Sequence, residues 1–159
     1  MKSLITYYSF SGNTDRIAKI FGKILEAKGE VDIQRLKLKD EVKTFIGQCA
    51  AARRGEKPEL EGNVKYDAAS YDLVLVGSPV WALVPTPAVN TFLDKVSGLN
   101  GKRVVALLTS GSGLGVGSCF KNIRKALEAK GVARIDEINI PDRKNRDGDF
   151  VTSSLQKIL

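Results

Sequence analysis

Near its start the chain carries Ser9-Phe10-Ser11-Gly12-Asn13-Thr14, directly after the apolar segment Leu4 to Tyr8. In a tight turn between a strand and a helix, these residues aim several backbone N–H groups and the hydroxyls of Ser9, Ser11 and Thr14 at one point. A helix beginning near Asn13 adds the positive end of its dipole there. Such a turn is an anion cradle, and Gly12 lets the backbone take a conformation that a side chain would forbid. The cradle holds no lysine and nothing in the chain matches G-x-x-x-x-G-K-[ST], so a phosphate bound here is a handle rather than a group to be transferred. The same residue types make ordinary helix caps, and the six residues alone leave cap and site both open.

Two later loops favour the site. Ser78-Pro79-Val80-Trp81-Ala82-Leu83 carries the sole tryptophan in a segment that Pro79, Pro85 and Pro87 keep stiff, which suits stacking on a planar ring system. The alternative is that Trp81 packs on its own protein. Ser110-Gly111-Ser112-Gly113-Leu114-Gly115-Val116-Gly117 has glycines enough for its backbone to approach a ligand closely. It misses G-x-G-x-x-G, because Val116 stands where the third glycine would be, and it follows the fourth strand rather than the first. A merely flexible loop is its plainer reading.

Composition removes other chemistries. With no histidine in its 159 residues, the chain cannot build Ser-His-Asp or Cys-His catalysis or a histidine metal site. Cys49 and Cys119 are far apart and form no C-x-x-C, so neither a thioredoxin-like pair nor a zinc cluster is expected. No catalytic side chain or metal ligand set stands out, and any redox chemistry must come from a bound organic cofactor. The net charge of +7 suggests anionic partners, although lysines scattered over solvated helix faces account for it more simply. No nucleic-acid reader motif is present, no apolar run is long enough to span a bilayer, and the start has no signal-peptide pattern. The expectation is therefore a cytoplasmic protein with no nucleic acid and no membrane among its partners.

The elements that position these loops follow from periodicity. Ile17, Ile20, Phe21, Ile24 and Leu25 repeat at helical spacing before Gly29, and Val31 to Leu38 alternates with charge as a less buried strand. Val42, Phe45, Ile46, Cys49 and Ala50 form a second helical stripe, which puts Cys49 in the core. Leu73 to Gly77 and Val104 to Leu108 are unbroken apolar strands. Thr86 and Pro87 read as the cap and first position of a helix burying Val89, Phe92, Leu93 and Val96. Phe120, Ile123, Ala126 and Leu127 mark a fourth helix ending at Gly131. A more polar last strand with Ile135, Ile138 and Ile140 leads to a closing helix with Phe150, Val151, Leu155 and Ile158.

Strands alternating with helices imply a parallel α/β sheet with right-handed crossovers. The first, third and fourth strands are unbroken and so central, while the second and fifth are diluted with charge and so peripheral. The order that fits is 2-1-3-4-5, a three-layer α/β/α sandwich in one domain over residues 1–159, with its switch point between strands one and three. Ligands sit beyond the carboxyl ends of the strands at that point, where the three loops meet.

Ser9 to Thr14 after a first strand, with Gly77-Ser78-Pro79-Val80-Trp81 and the helix beginning Pro87-Ala88-Val89, resembles the flavodoxin family and its flavodoxin-like relatives over essentially the whole chain. The resemblance implies noncovalent FMN, with its phosphate on Ser9, Ser11, Gly12, Asn13 and Thr14 and with Phe10 in the same loop. It places the isoalloxazine between Ser78, Pro79, Val80, Trp81 and Ala82 on one side and Thr109, Ser110, Gly111, Ser112 and Gly113 on the other. It implies electron transfer to a redox partner protein or a small-molecule acceptor, the positive charge favouring an anionic one. An NAD(P)H-dependent quinone or small-molecule reductase is the alternative, and a flavin-free binding module of the same fold is a third. Three features depart from the family. No aromatic lies between Ser110 and Val116, no glycine lies in Val80-Trp81-Ala82-Leu83 where the family flips a peptide during one-electron reduction, and the chain is basic where shuttling flavodoxins are acidic.

Overall fold

The computed structural model describes residues 1–41 and 44–159. Five strands, β1 (Lys2–Tyr7), β2 (Glu30–Arg35), β3 (Leu73–Pro79), β4 (Arg103–Ser110) and β5 (Arg134–Pro141), form one sheet in the order β2-β1-β3-β4-β5, as expected. All four pairings are parallel. Residues on β1, β3 and β4 are buried on both faces, whereas β2 and β5 mix exposed and half-buried positions, so strand composition did report sheet position.

Alternate residues of each central strand supply the two cores. Ile5, Leu75, Val105 and Leu107 pack under α1 (Asn13–Glu26), through Ile17, Phe21 and Leu25, and under the closing helix α5 (Gly148–Gln156), through Val151 and Leu155. Leu4, Val74, Val76 and Val104 pack on the other side under α3 (Pro87–Lys95) and α4 (Val116–Glu128), through Val89, Phe92, Ile123 and Leu127, with α2 (Phe45–Arg53) adding Ala52. Phe21 and Phe92 are fully buried. Each such ring removed from water contributes about 1.5–3 kcal/mol.

Three local expectations need correction. The second strand ends at Arg35, paired with Tyr7 at the end of β1, instead of running to Leu38. Leu36 and Leu38 then dive into the core, and Leu38 makes an isolated antiparallel bridge to Leu60. The second helical stripe is turned: the Thr44 hydroxyl accepts from the Gly47 amide at 3.3 Å and starts the helix at Phe45. That phase buries Gln48, Ala51 and Ala52 and leaves Phe45 and Ile46 50% and 82% exposed. Cys49 is half-buried against the core, and Val42 lies outside the described residues. Thr86 precedes Pro87 as expected, but no hydroxyl cap forms; its amide donates to Ser78 Oγ at 3.1 Å, tying the end of β3 to the start of α3. The closing helix forms as expected, with Val151 and Leu155 buried and Phe150 at the surface under the Lys144 ammonium, 5.6 Å from the ring centre.

Candidate functional site

The carboxyl ends of β1, β3 and β4 feed three loops into one cleft of about 310 Å³. Phe10, Ser11, Asn13 and Thr14 come from the first loop, Pro79, Val80 and Trp81 from the second, and Thr109 and Gly111 from the third. The cleft sits at the switch point of the sheet, between β1 and β3.

At one end lies the start of α1. Gly12 occupies the cap position with φ 92°, and no side chain caps the helix. The Gly12 amide donates to Ser9 Oγ at 3.1 Å, and the Gly12 carbonyl accepts from Arg16 at 3.0 Å. The amides of Ser11, Asn13, Thr14 and Asp15 have no acceptor among the described residues. A helix that was merely capped would have used its own hydroxyls or amide here. Open amides, the dipole end and the Ser11 hydroxyl together make a set of neutral donors suited to a phosphate.

The loop is held from behind. An Arg35 Nη donates to the Ser9 carbonyl at 2.8 Å, and the Tyr7 hydroxyl donates to Asp15 Oδ1 at 2.6 Å. Burial raises Asp15, but hydrogen bonds from Lys19 and Tyr7 and the charges of Lys19 and Arg35 outweigh it and keep the carboxyl below its usual range. Burial, with the Asp15 hydrogen bond second, pushes the Tyr7 phenol well above its ordinary value. Asp15 therefore stays ionised and Tyr7 protonated. Across the cleft, the Thr14 and Thr109 hydroxyls share a buried 2.9 Å hydrogen bond that ties the cradle to the end of β4.

Trp81 is not an open plate. It is 4% exposed, with the rings of Tyr8, Phe10 and Phe45 set edge-on to it at centroid distances of 5.5, 5.7 and 5.4 Å. Phe10 and Phe45 are themselves about half exposed and form the outer wall. Trp81 and Val84 exchange both backbone hydrogen bonds, closing a tight turn in which Ala82 and Leu83 have φ of 47° and 74°. The turn takes a left-handed pair without the glycine that usually supplies it. Leu83 lies over Gly115, the cap of α4: a Cβ on that glycine would meet Leu83 Cδ2 at 2.4 Å. The second and third loops thus lock together.

Other predicted residues stand behind the cleft wall. Ser9 is buried with its hydroxyl accepting from Gly12, Ser78 is buried against Thr86 and the Pro79 carbonyl, and Ser110 donates to Asn139 Oδ1 at 3.0 Å. Ala82 lies in the turn, while Ser112, whose hydroxyl accepts from Leu114, and Gly113 lie on the exposed part of the third loop. Sequence reasoning missed Phe45, which carried no signal beyond its helical stripe, and Asp142, which puts a carboxylate on the wall beside Gly111. It also missed Arg35, whose position at the end of β2 next to the cradle could have been read from the strand order.

Among the described residues no group of three His, Cys, Asp or Glu side chains is placed to hold a metal, and no helix is long and apolar enough to cross a membrane. No curated protein matches the chain. Solved structures do. A flavoprotein from Lactobacillus acidophilus, in complex with FMN, is 25% identical with a TM-score of 0.66, covering 93% of this chain and 98% of its own. A flavoprotein from Bacteroides eggerthii is 22% identical with a TM-score of 0.72, covering 99% and 97%. An NADH:FMN oxidoreductase in its apo form is 18% identical with a TM-score of 0.67, covering 99% and 88%. A sequence model described as Flavodoxin matches residues 2–140, and with that match over most of its length the chain belongs to the flavodoxin family.

Proposed function

We propose that the protein binds FMN noncovalently in this cleft and passes electrons through it to a redox partner protein or a small-molecule acceptor. The observation that carries the reading is the opening of α1: the amides of Ser11, Asn13, Thr14 and Asp15, without acceptors among the described residues, sit beside a cleft also walled by Pro79, Val80, Trp81 and Phe45. That polarity, donors at one end and rings at the other, is the polarity of FMN itself. Membership of the flavodoxin family and the FMN bound by the Lactobacillus acidophilus flavoprotein support it.

In this reading Ser11, Asn13 and Thr14 hold the phosphate with Gly12 shaping the turn, and Thr14 carries the grip to Thr109. Val80, Trp81, Phe10 and Phe45 exclude water from the ring system, and Gly111 lets the third loop come close. Bound FMN supplies the one- and two-electron chemistry, and the protein sets its exposure and electrostatics. The charge near the ring is mixed, since Asp142 opposes the overall positive charge of the chain.

A second reading, an NAD(P)H-dependent reductase, is favoured by the apolar rim. Phe10, Phe45, Ile46, Leu83 and Leu114 are exposed on the loops and helix around the cleft, a frame suited to a planar neutral acceptor. Anaerobic stopped-flow mixing of FMN-loaded protein with NADH or NADPH separates the two. Slow bleaching with fast exchange to a protein acceptor fits the carrier; rapid bleaching by a nicotinamide followed by reoxidation with a quinone fits the reductase. Protein that stays colourless after incubation with FMN overturns both.

A further inference from the structure

A second cavity among the described residues is separate from the cofactor cleft and shares no lining residue with it. It is a groove of about 460 Å³ where the end of α2 and the loop after it face α3 and α4. Its volume falls in the range of small-molecule sites. Ala52, Val84, Pro85, Leu93 and Ala126 give it an apolar floor. Around that floor stand three cations, Arg53, Lys57 and Lys130, against the single carboxylate of Asp94.

The cations are not equivalent. Lys57 is spent on Asp94 Oδ1 at 2.5 Å, and Lys130 is anchored to the Asp94 carbonyl at 3.0 Å, its other N–H groups having no acceptor among the described residues. Arg53 makes no side-chain hydrogen bond or ion pair among the described residues. The Asn90 amide beside it likewise has no side-chain partner among them, and Asn122 donates to the Ser118 carbonyl, which leaves its oxygen available. A guanidinium without a side-chain partner among the described residues, lining the same groove as a positioned ammonium and an apolar floor, is an arrangement for a phosphate carrying an apolar body.

We propose that this groove binds a small organic phosphomonoester, with its anionic group on Arg53 and Lys130 and its apolar portion on the Ala126 and Leu93 wall. The site also adjoins the cofactor cleft, because Val84 is paired through both its backbone groups to Trp81.

The test is a calorimetric titration of FMN-saturated protein with AMP, so that the cradle on α1 is already filled, with adenosine and inorganic phosphate as separate arms. AMP is expected to saturate one site, with each half-ligand at least tenfold weaker. Arg53→Ala is expected to weaken AMP at least tenfold and Arg53→Lys by less, since lysine keeps the charge but not the fork. Arg53 is exposed and its side chain has no partner among the described residues, so these variants are expected to leave the fold intact. Absence of saturation at millimolar AMP, or AMP affinity indifferent to Arg53→Ala, overturns the proposal. Phosphate binding as tightly as AMP overturns the role of the apolar wall, and adenosine doing so overturns that of the cations. The flavin spectrum reports cofactor loading independently, so failure of the FMN reading would be seen as such, and the Arg53 variants would still locate the AMP site.

Discussion

Replacing Gly115 with alanine tests whether the second and third loops are locked together by contact. Two glycines of the third loop have nearly the same backbone, Gly113 with φ 78° and Gly115 with φ 80°, but different surroundings. A Cβ at Gly113 meets nothing within 4 Å, whereas one at Gly115 would lie 2.4 Å from Leu83 Cδ2 and 2.7 Å from Leu83 Cα. Gly113→Ala therefore isolates the cost of a left-handed alanine, about 1 kcal/mol. Gly115→Ala adds overlap with a neighbour's backbone, which raises the total to about 3 kcal/mol. For a chain of this length those losses correspond to drops in Tm of about 3 °C and about 9 °C. Urea unfolding of the apo-protein measures both directly. Part of the Gly115 loss reflects an alanine at the α4 cap, so the decisive quantity is the coupling to Leu83. In a Leu83→Gly background, where the turn is relieved of its left-handed leucine, the cost of Gly115→Ala should fall by about 1 kcal/mol or more. FMN affinity should fall with Gly115→Ala, which pushes the Trp81 turn, and hold with Gly113→Ala. Equal stability losses at the two glycines, with no coupling to Leu83, would refute the locked-loop account.

Three further outcomes are expected. Ser3 Oγ is buried without a hydrogen-bond partner among the described residues, so Ser3→Ala should leave stability unchanged or raise it by up to about 1 kcal/mol in urea unfolding, and a clear loss would mean the hydroxyl is satisfied. Burial raises Asp136, but hydrogen bonds from Arg103 and Arg134 and their charges prevail and hold its carboxyl below the usual range. The folded state thus favours the ionised form, and this stability is present above the unfolded carboxyl value and lost as pH falls through the lower folded one. The deficit of Asp136→Asn should accordingly be constant near neutrality and vanish in acid; a deficit that grew on acidification would reverse the sign. Phe45 is half exposed and covers Trp81, so Phe45→Ala should speed FMN association severalfold by stopped-flow fluorescence, at little cost in stability, and a slower association would contradict its role as a cover.

Strand composition carried the architecture because burial on both faces leaves long apolar runs in β1, β3 and β4, and the charged β2 and β5 could then only be peripheral. The first loop was less legible from its residues alone, because Ser, Gly, Asn and Thr serve helix caps as readily as anion sites; in the structure the amides of Ser11, Asn13, Thr14 and Asp15 have no acceptor among the described residues. Features set by distant contacts were not legible. Nothing in the local pattern says that Phe10 and Phe45 close over Trp81, since those rings meet only once the sheet has brought their loops together. The face of α2 was misread because Thr44 sets its phase, leaving alanines inward and Phe45 and Ile46 outward. The left-handed Ala82-Leu83 pair hides for the opposite reason: neither residue favours that backbone, and the Leu83 contact with Gly115 helps to impose it.

The open amides of α1 are the donors proposed to grip the FMN phosphate. Titrating the apo-protein in parallel with FMN and with riboflavin, which differ by that phosphate alone, measures the grip directly. Two charge-assisted hydrogen bonds of about 1.5 kcal/mol each predict FMN tighter by roughly 100-fold. The gap should narrow in Ser11→Ala. Equal affinities for FMN and riboflavin would contradict the central claim.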